Sequence, residues 1–183
     1  MAHADAAAEI ISTQNFLHRL LAEAYPFYLR HEQGRGYVDF DGNAQSIDFL
    51  ASTPMALGAG GRSRFNLSLQ RRNDRLDVRL KSKPELSDEA SPPIDKVRVA
   101  DVRLLEFAYF GVTRPEKSAR WHERWTGEPS LPSLVAVRIA FPDHDPRLWP
   151  DSYEAPDVKG ANWRPWRTRQ CGIEDTAAPS LGW

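Results

Sequence analysis

The start of the chain carries an apolar pattern with the period of an α-helix. A set of apolar side chains recurs at steps of seven, four, three and four residues: Ile10, Leu17, Leu21, Ala24 and Tyr28. Before them, residues 4–8 are good helix formers interrupted only by an aspartate. The pattern predicts one amphipathic helix over residues 4–30, in which Pro26 either kinks the last turn or stops the helix at Tyr25. Everything after Gly34 is predicted as strands and loops, because glycines and alternating patterns replace the helical spacing.

The clearest strand signal comes later, where apolar and polar residues alternate. Residues 65–70 and 76–80 alternate on either side of a polar turn at 71–74, which predicts an antiparallel hairpin with one buried face. Residues 37–40 and 46–51 predict a second hairpin around the turn at 41–43. One or two strands are expected over 96–111 and a buried strand over 134–141. A loop is expected over 84–93.

Length and composition favour one globular unit. The chain has 183 residues, of which 41% are hydrophobic and 27% charged, so one domain is expected. We divide it into a helix over 1–30, a β body over 37–141 and an irregular tail over 142–183. Lys and Arg total 24 against 25 Asp and Glu, which argues against a general binder of nucleic acid or anionic membranes. The single cysteine, Cys171, can form no internal disulfide.

The best candidate for a metal site is Asp143-His144-Asp145. Carboxylates suit Ca²⁺ or Mg²⁺, and histidine suits Zn²⁺. Adjacent residues rarely point at one ion, and no second cluster at ligand spacing is present in the sequence. A polar turn between Pro142 and Pro146 is the favoured interpretation, and no metal or cofactor is predicted.

Other motifs predict anchoring or connection more than catalysis. In residues 121–125 a histidine stands beside a glutamate, but Trp125 occupies the position where a zinc-protease helix needs its second histidine. The glycine-rich residues 58–62 precede a strand and not a helix, so a flexible connector is favoured over a phosphate loop. No nucleophile elbow is present, and Cys171 has no catalytic signature. Tryptophans and arginines interleave over 163–169 and could stack on bases, on sugars or on each other.

The order of these features resembles minor pseudopilin J of type II secretion, also called general secretion pathway protein J. Five stretches carry the resemblance: the hairpin over 38–51, the Pro and Gly loop with Pro54 and 58–62, the hairpin over 65–80, the strand over 102–110, and the run with Trp121, Trp125, Leu131, Pro132 and 135–139. Together they cover most of residues 16–141. Residues after Pro150 match less clearly.

The resemblance implies an α+β, pilin-like fold, with a long N-terminal helix packed on antiparallel β-sheets and an irregular C-terminal tail. It implies a subunit without catalysis that joins the I-type and K-type minor pseudopilins at the pseudopilus tip and supports export of folded substrate proteins. It also implies the periplasmic face of the bacterial inner membrane, with an apolar anchor before the helix. The sequence shows no such anchor, so a soluble piece lacking it is expected.

The helix is where partners are expected to bind. We assign Phe16, Leu20, Tyr25 and Phe27 to a partner surface. Four residues are assigned to the face packed on the chain's own sheet: Ile10, Leu17, Leu21 and Ala24. Two alternatives remain open: another minor pilin or pseudopilin of a type IV pilus-like system, and a β-rich carbohydrate-binding or hydrolase domain that stacks sugars on Trp121, Trp125, Trp163 and Trp166.

Overall fold

The computed structural model describes residues 2–30, 36–55, 57, 60–87, 93–150 and 152–153. These residues form one helix and twelve strands: α1 (Ala2–Ala22), β1 (Tyr28–Arg30), β2 (Gly36–Val38), β3 (Phe40–Gly42), β4 (Ser46–Ser52), β5 (Arg62–Arg72), β6 (Arg75–Pro84), β7 (Ile94–Val99), β8 (Leu104–Gly111), β9 (Arg120–His122), β10 (Trp125–Thr126), β11 (Leu134–Ala140) and β12 (Ser152–Tyr153).

The predicted fold class is wrong. The described residues are mostly β, in three antiparallel sheets, and α1 is a single short helix of 21 residues. The chain is therefore a β-rich fold and not a long helix packed on sheets. The strands after residue 36 bury most of the core residues, so they and not the helix define the architecture.

The helix ends eight residues before the predicted boundary because the chain turns into a sheet. Ala24 forms an isolated bridge to Ala51, and the Tyr25 N–H donates to the Leu50 carbonyl oxygen at 2.7 Å. Tyr28–Arg30 then pairs with Gly36–Val38 as a two-stranded sheet. These backbone partners replace the hydrogen bonds that further helical turns would have made.

The largest sheet has six strands in the order β10-β3-β4-β5-β6-β7. The hairpin predicted over 65–80 is confirmed as β5 and β6, with Leu67 opposite Leu80. Asn73 and Asp74 at its tip both have positive φ, as a two-residue hairpin turn requires. The second predicted hairpin is present as β3 and β4, although Gly36–Val38 pairs elsewhere and β3 begins only at Phe40.

The second large sheet has four strands in the order β12-β11-β8-β9. The predicted strand region 96–111 divides between the sheets, because β7 belongs to the first and β8 to the second. Aromatic side chains fill the core that both sheets share, and Tyr109 stands edge-on to Phe40 with ring centroids 6.0 Å apart. The Tyr109 hydroxyl donates to the Asn43 carbonyl oxygen at 2.9 Å. Gly42 lies against the Tyr109 ring, where a side chain would collide.

Candidate partner-binding surface

The two sides of α1 have different surroundings. Ile10, Leu17 and Leu20 are buried in the core, and Leu21 and Ala24 pack against it while remaining partly exposed. The four residues assigned to the self-packed face therefore lie where the sequence placed them. On the other side of α1, Ile11 is 52% exposed.

A groove of about 910 Å³ follows this outer side of α1. Its helix wall runs from Ala8 to Glu23, a length of roughly 22 Å at the helical rise per residue. The opposite wall is Ser52–Met55, which begins at the last residue of β4, and Met55 is 85% exposed. The lining combines apolar side chains with polar ones and with the charged residues Arg19 and Glu23, a mixture that is common at protein interfaces and on the rest of a protein surface.

Three of the four residues assigned to the partner surface are accessible. Phe16 is half-buried in the groove wall, and Tyr25 and Phe27 are exposed just after the helix. The Arg62 guanidinium lies 4.9 Å from the centre of the Tyr25 ring. Leu20 is the exception.

Leu20 is 2% exposed and belongs to the core cluster. Its assignment to the partner surface is corrected for this reason. Leu20 lies one turn after Leu17, so both side chains face the sheets. The buried arc of α1 is therefore wider than the spacing pattern indicated.

Arg98 on β7 is a feature that the sequence did not reveal. Its guanidinium lies over the Phe16 ring at 4.1 Å from the ring centre. The Nε and Nη2 atoms are enclosed and have no hydrogen-bond partner among the residues that the structure describes. Burial lowers the pKa of Arg98, and no carboxylate among the described residues compensates for it. An arginine within a strand pattern gives no sign of this isolation, because the missing acceptor is a property of the folded chain.

The candidate metal residues are engaged with arginines. The Asp143 carboxylate accepts a hydrogen bond from Arg103 at 2.7 Å, and Asp145 binds Arg147 through both of its oxygens. The Asp145 N–H donates to the Pro142 carbonyl oxygen, so the segment forms the polar turn that was favoured. No group of three or more potential metal ligands occurs among the described residues.

The two tryptophans of residues 121–125 differ in burial. Trp125 is 1% exposed, and its indole N–H donates to the Ser130 carbonyl oxygen at 2.9 Å. Trp121 is half-buried, with its ring centroid 5.2 Å from that of Phe110. A buried Trp125 cannot stack on a sugar, which removes one support of the carbohydrate-binding alternative. Trp163, Trp166 and Cys171 lie outside the described residues.

Comparison with known proteins adds no identification. No protein-family profile matches the chain, and no curated protein matches it. No helix in the described part of the chain combines the length and the apolar character that a bilayer span requires.

Proposed function

We propose that this chain is a structural subunit of a type II secretion system, a minor pseudopilin of the J type that acts in the complex at the pseudopilus tip. The proposal is supported by the ordered sequence stretches over residues 16–141. It does not depend on the predicted fold class, which is wrong. In this role the chain binds other proteins and performs no catalysis.

The observation that carries the proposal is the open groove along α1. A helix that buries Ile10 and Leu17 on one side and leaves Ile11 exposed on the other can join two protein bodies. Met55 faces the same groove and adds an adaptable apolar contact. Helices of the I-type and K-type minor pseudopilins are the proposed occupants.

The exposed aromatic residues after the helix extend this surface. Tyr25 and Phe27 are exposed, and Arg62 stacks on Tyr25. Aromatic residues and arginines are enriched among the residues that contribute most to binding at protein interfaces. Phe16, Tyr25 and Phe27 therefore remain the proposed partner contacts, together with Ile11 and Met55. The proposal also places the chain on the periplasmic face of the inner membrane.

The test is binding of the purified chain to the I-type and K-type minor pseudopilins of the same genome, measured by titration calorimetry. Ile11→Glu and Met55→Glu each place a charge in the groove. We expect each to weaken binding by about tenfold or more, because the interface would have to bury an unpaired carboxylate.

The matched control is Val112→Glu, which changes an exposed apolar residue that does not line the groove. This variant should bind like the wild type. If the wild-type chain binds neither pseudopilin, the proposed function is wrong. If the groove variants bind as well as the control variant, the proposed site is wrong.

A further inference from the structure

β7 is the longest open edge of the sheets in the described part of the chain. β6 pairs with one side of β7, and no backbone hydrogen bond joins its other side to another described residue. The remaining edges of the two large sheets are β9, β10 and β12, each of three residues or fewer. Because alternate residues of an antiparallel strand bond to each neighbour, about half of the β7 backbone N–H and C=O groups face outward, where another strand can pair with them. The pairing of β7 with β6 is regular over Ile94–Val97, and its register shifts between Val97 and Val99.

Apolar side chains flank this edge on both faces. Ile94 is 40% exposed and stands opposite Ser82, whereas Val97 is 42% exposed and stands opposite Arg79. Ser82 is buried and Arg79 is on the polar face, so Ile94 and Val97 project to opposite sides. A strand added at β7 would therefore cover apolar surface on both faces of the sheet.

The charges along β7 are unequally compensated. Asp95 is paired with Arg79 at 2.9 Å. Lys96 is exposed and has no ion pair with a described residue, and Arg98 has no acceptor for Nε or Nη2. The edge therefore offers two cations without partners, whereas its one anion already has a partner. Such an edge is complementary to a strand that carries carboxylates.

Arg98 is suited to hold one of those carboxylates. Its unpartnered Nε and Nη2 form the same edge of the guanidinium that Arg147 uses to bind both oxygens of Asp145. The Arg98 side chain as a whole keeps partial exposure. A carboxylate brought in by an added strand can meet it after a rotation about its side-chain bonds, and the pair would then compensate for the burial of the guanidinium.

We propose that β7 is a docking edge for an extended segment of another protein that carries carboxylates between apolar residues. The segment would add a seventh strand to the large sheet beside Ile94–Val99. Its carboxylates would pair with Lys96 and Arg98, and its apolar side chains, on the opposite face of the added strand, would cover Val97.

The probe is a capped eight-residue peptide of alternating Glu and Val, titrated into the ¹⁵N-labelled chain. We expect saturable amide shifts and slower hydrogen exchange over Ile94–Val99. The same peptide with N-methylated backbone amides should produce neither effect, because it cannot form the ladder of hydrogen bonds. An alternating Lys and Val peptide should bind at least about tenfold more weakly, because it meets Lys96 and Arg98 with like charge.

Variants of Arg98 test whether binding depends on the charge of this residue as well as on the backbone of β7. Arg98→Gln should weaken binding of the Glu and Val peptide by about tenfold, and Arg98→Lys should keep part of the affinity. Arg75→Gln, at the exposed tip of the β5–β6 hairpin, is the control and should bind like the wild type. If Arg98→Gln fails to fold, as judged by circular dichroism, Arg98→Lys is used instead. The test is then whether this variant binds the Glu and Val peptide more tightly than the Lys and Val peptide.

Three results would overturn the proposal. The first is the absence of a saturable shift at millimolar peptide. The second is a set of shifts that leaves out β7, for example one confined to Ser52–Met55 on the opposite wall of the α1 groove. The third is equal affinity for the Glu and Lys peptides.

Discussion

Two arginines of this chain stack on phenylalanine rings but differ in their hydrogen-bond partners. The Arg147 guanidinium lies 4.3 Å from the centre of the Phe141 ring, and the Arg98 guanidinium lies 4.1 Å from the centre of the Phe16 ring. Arg147 binds both oxygens of Asp145 and donates to the carbonyl oxygens of Ala100 and Asp101. Arg98 has two enclosed nitrogens, and the described part of the chain offers no acceptor for either.

The electrostatics of the two sites follow from these partners. The hydrogen bonds that Arg147 donates to Asp145 raise the pKa of Arg147, whereas burial lowers the pKa of Arg98. Arg147 joins the segment after β11 to the loop before β8, and its guanidinium finds its hydrogen-bond acceptors within the chain. The Arg98 guanidinium is partly buried, and no carboxylate among the described residues pairs with it. The comparison teaches that a stacked arginine is structural when its donors are satisfied and is available for a partner when they are not.

The largest expected effect on stability comes from replacing Arg147, the arginine whose hydrogen bonds are satisfied. Arg147→Met keeps much of the side-chain volume but removes the guanidinium that donates to the carbonyl oxygens of Ala100 and Asp101 and to the Asp145 carboxylate. Among the described residues, the Asp145 carboxylate then keeps only the hydrogen bond from the backbone N–H of residue 147. We expect a loss of about 2–3 kcal/mol in the free energy of unfolding, measured by urea denaturation. Arg75→Met, at an exposed hairpin tip, should change it by less than about 0.5 kcal/mol. Equal effects of the two variants would contradict the structural role of Arg147.

A smaller effect is expected from Asp145→Asn, and it should depend on pH. The hydrogen bond from Arg147 holds the pKa of Asp145 below its usual value. The unfolded state therefore takes up a proton at a higher pH than the folded state does. The stabilising contribution is fully present above the unfolded pKa of about 3.9 and fades as pH falls through the folded pKa.

Urea denaturation of wild type and Asp145→Asn at several pH values tests this sign. The wild type should be more stable by about 1 kcal/mol near pH 6. The difference should shrink below about pH 4. A difference that grows as pH falls would show that the Asp145 pKa is not depressed in the folded chain.

The smallest effect is expected from Arg98→Met, which replaces the uncompensated cation by an apolar chain of similar length. The variant loses the stacking on Phe16 but no longer buries a charge. The free energy of unfolding should change by less than about 1 kcal/mol, in the direction of neutrality or greater stability. A loss as large as that of Arg147→Met would show that Arg98 has a partner in solution, and would remove the contrast between the two sites.

Local patterns predicted the strands well where one face is buried and the other solvated. The alternation over 65–80 predicted the two strands and their buried face, because a slip of one residue would exchange the buried Leu67 and Leu80 for polar neighbours. The turn predicted over 71–74 is shorter, since Arg71 and Arg72 extend β5 and pair with β6. The helix end was predicted wrongly since Ala24 and Tyr28 continue the helical spacing. Hydrogen bonds to β4, more than twenty residues away along the chain, decided against another turn.

At the candidate site, too, some features follow from local sequence spacing and others depend on the folded arrangement. The burial of Ile10 and Leu17 follows from spacing, but the burial of Leu20 depends on how far the sheets wrap around α1. The isolation of Arg98 depends on Phe16, which lies 82 positions earlier in the chain. No local pattern encodes the absence of an acceptor, so only the folded arrangement could reveal it.

The most direct test of the proposed function is hydrogen exchange of this chain alone and in the presence of the I-type and K-type minor pseudopilins. The account predicts that amides of α1 between Ala8 and Glu23 and of Ser52–Met55 become more protected when the partners are added. Unchanged exchange along α1, or protection confined to strands that do not line the groove, would contradict it.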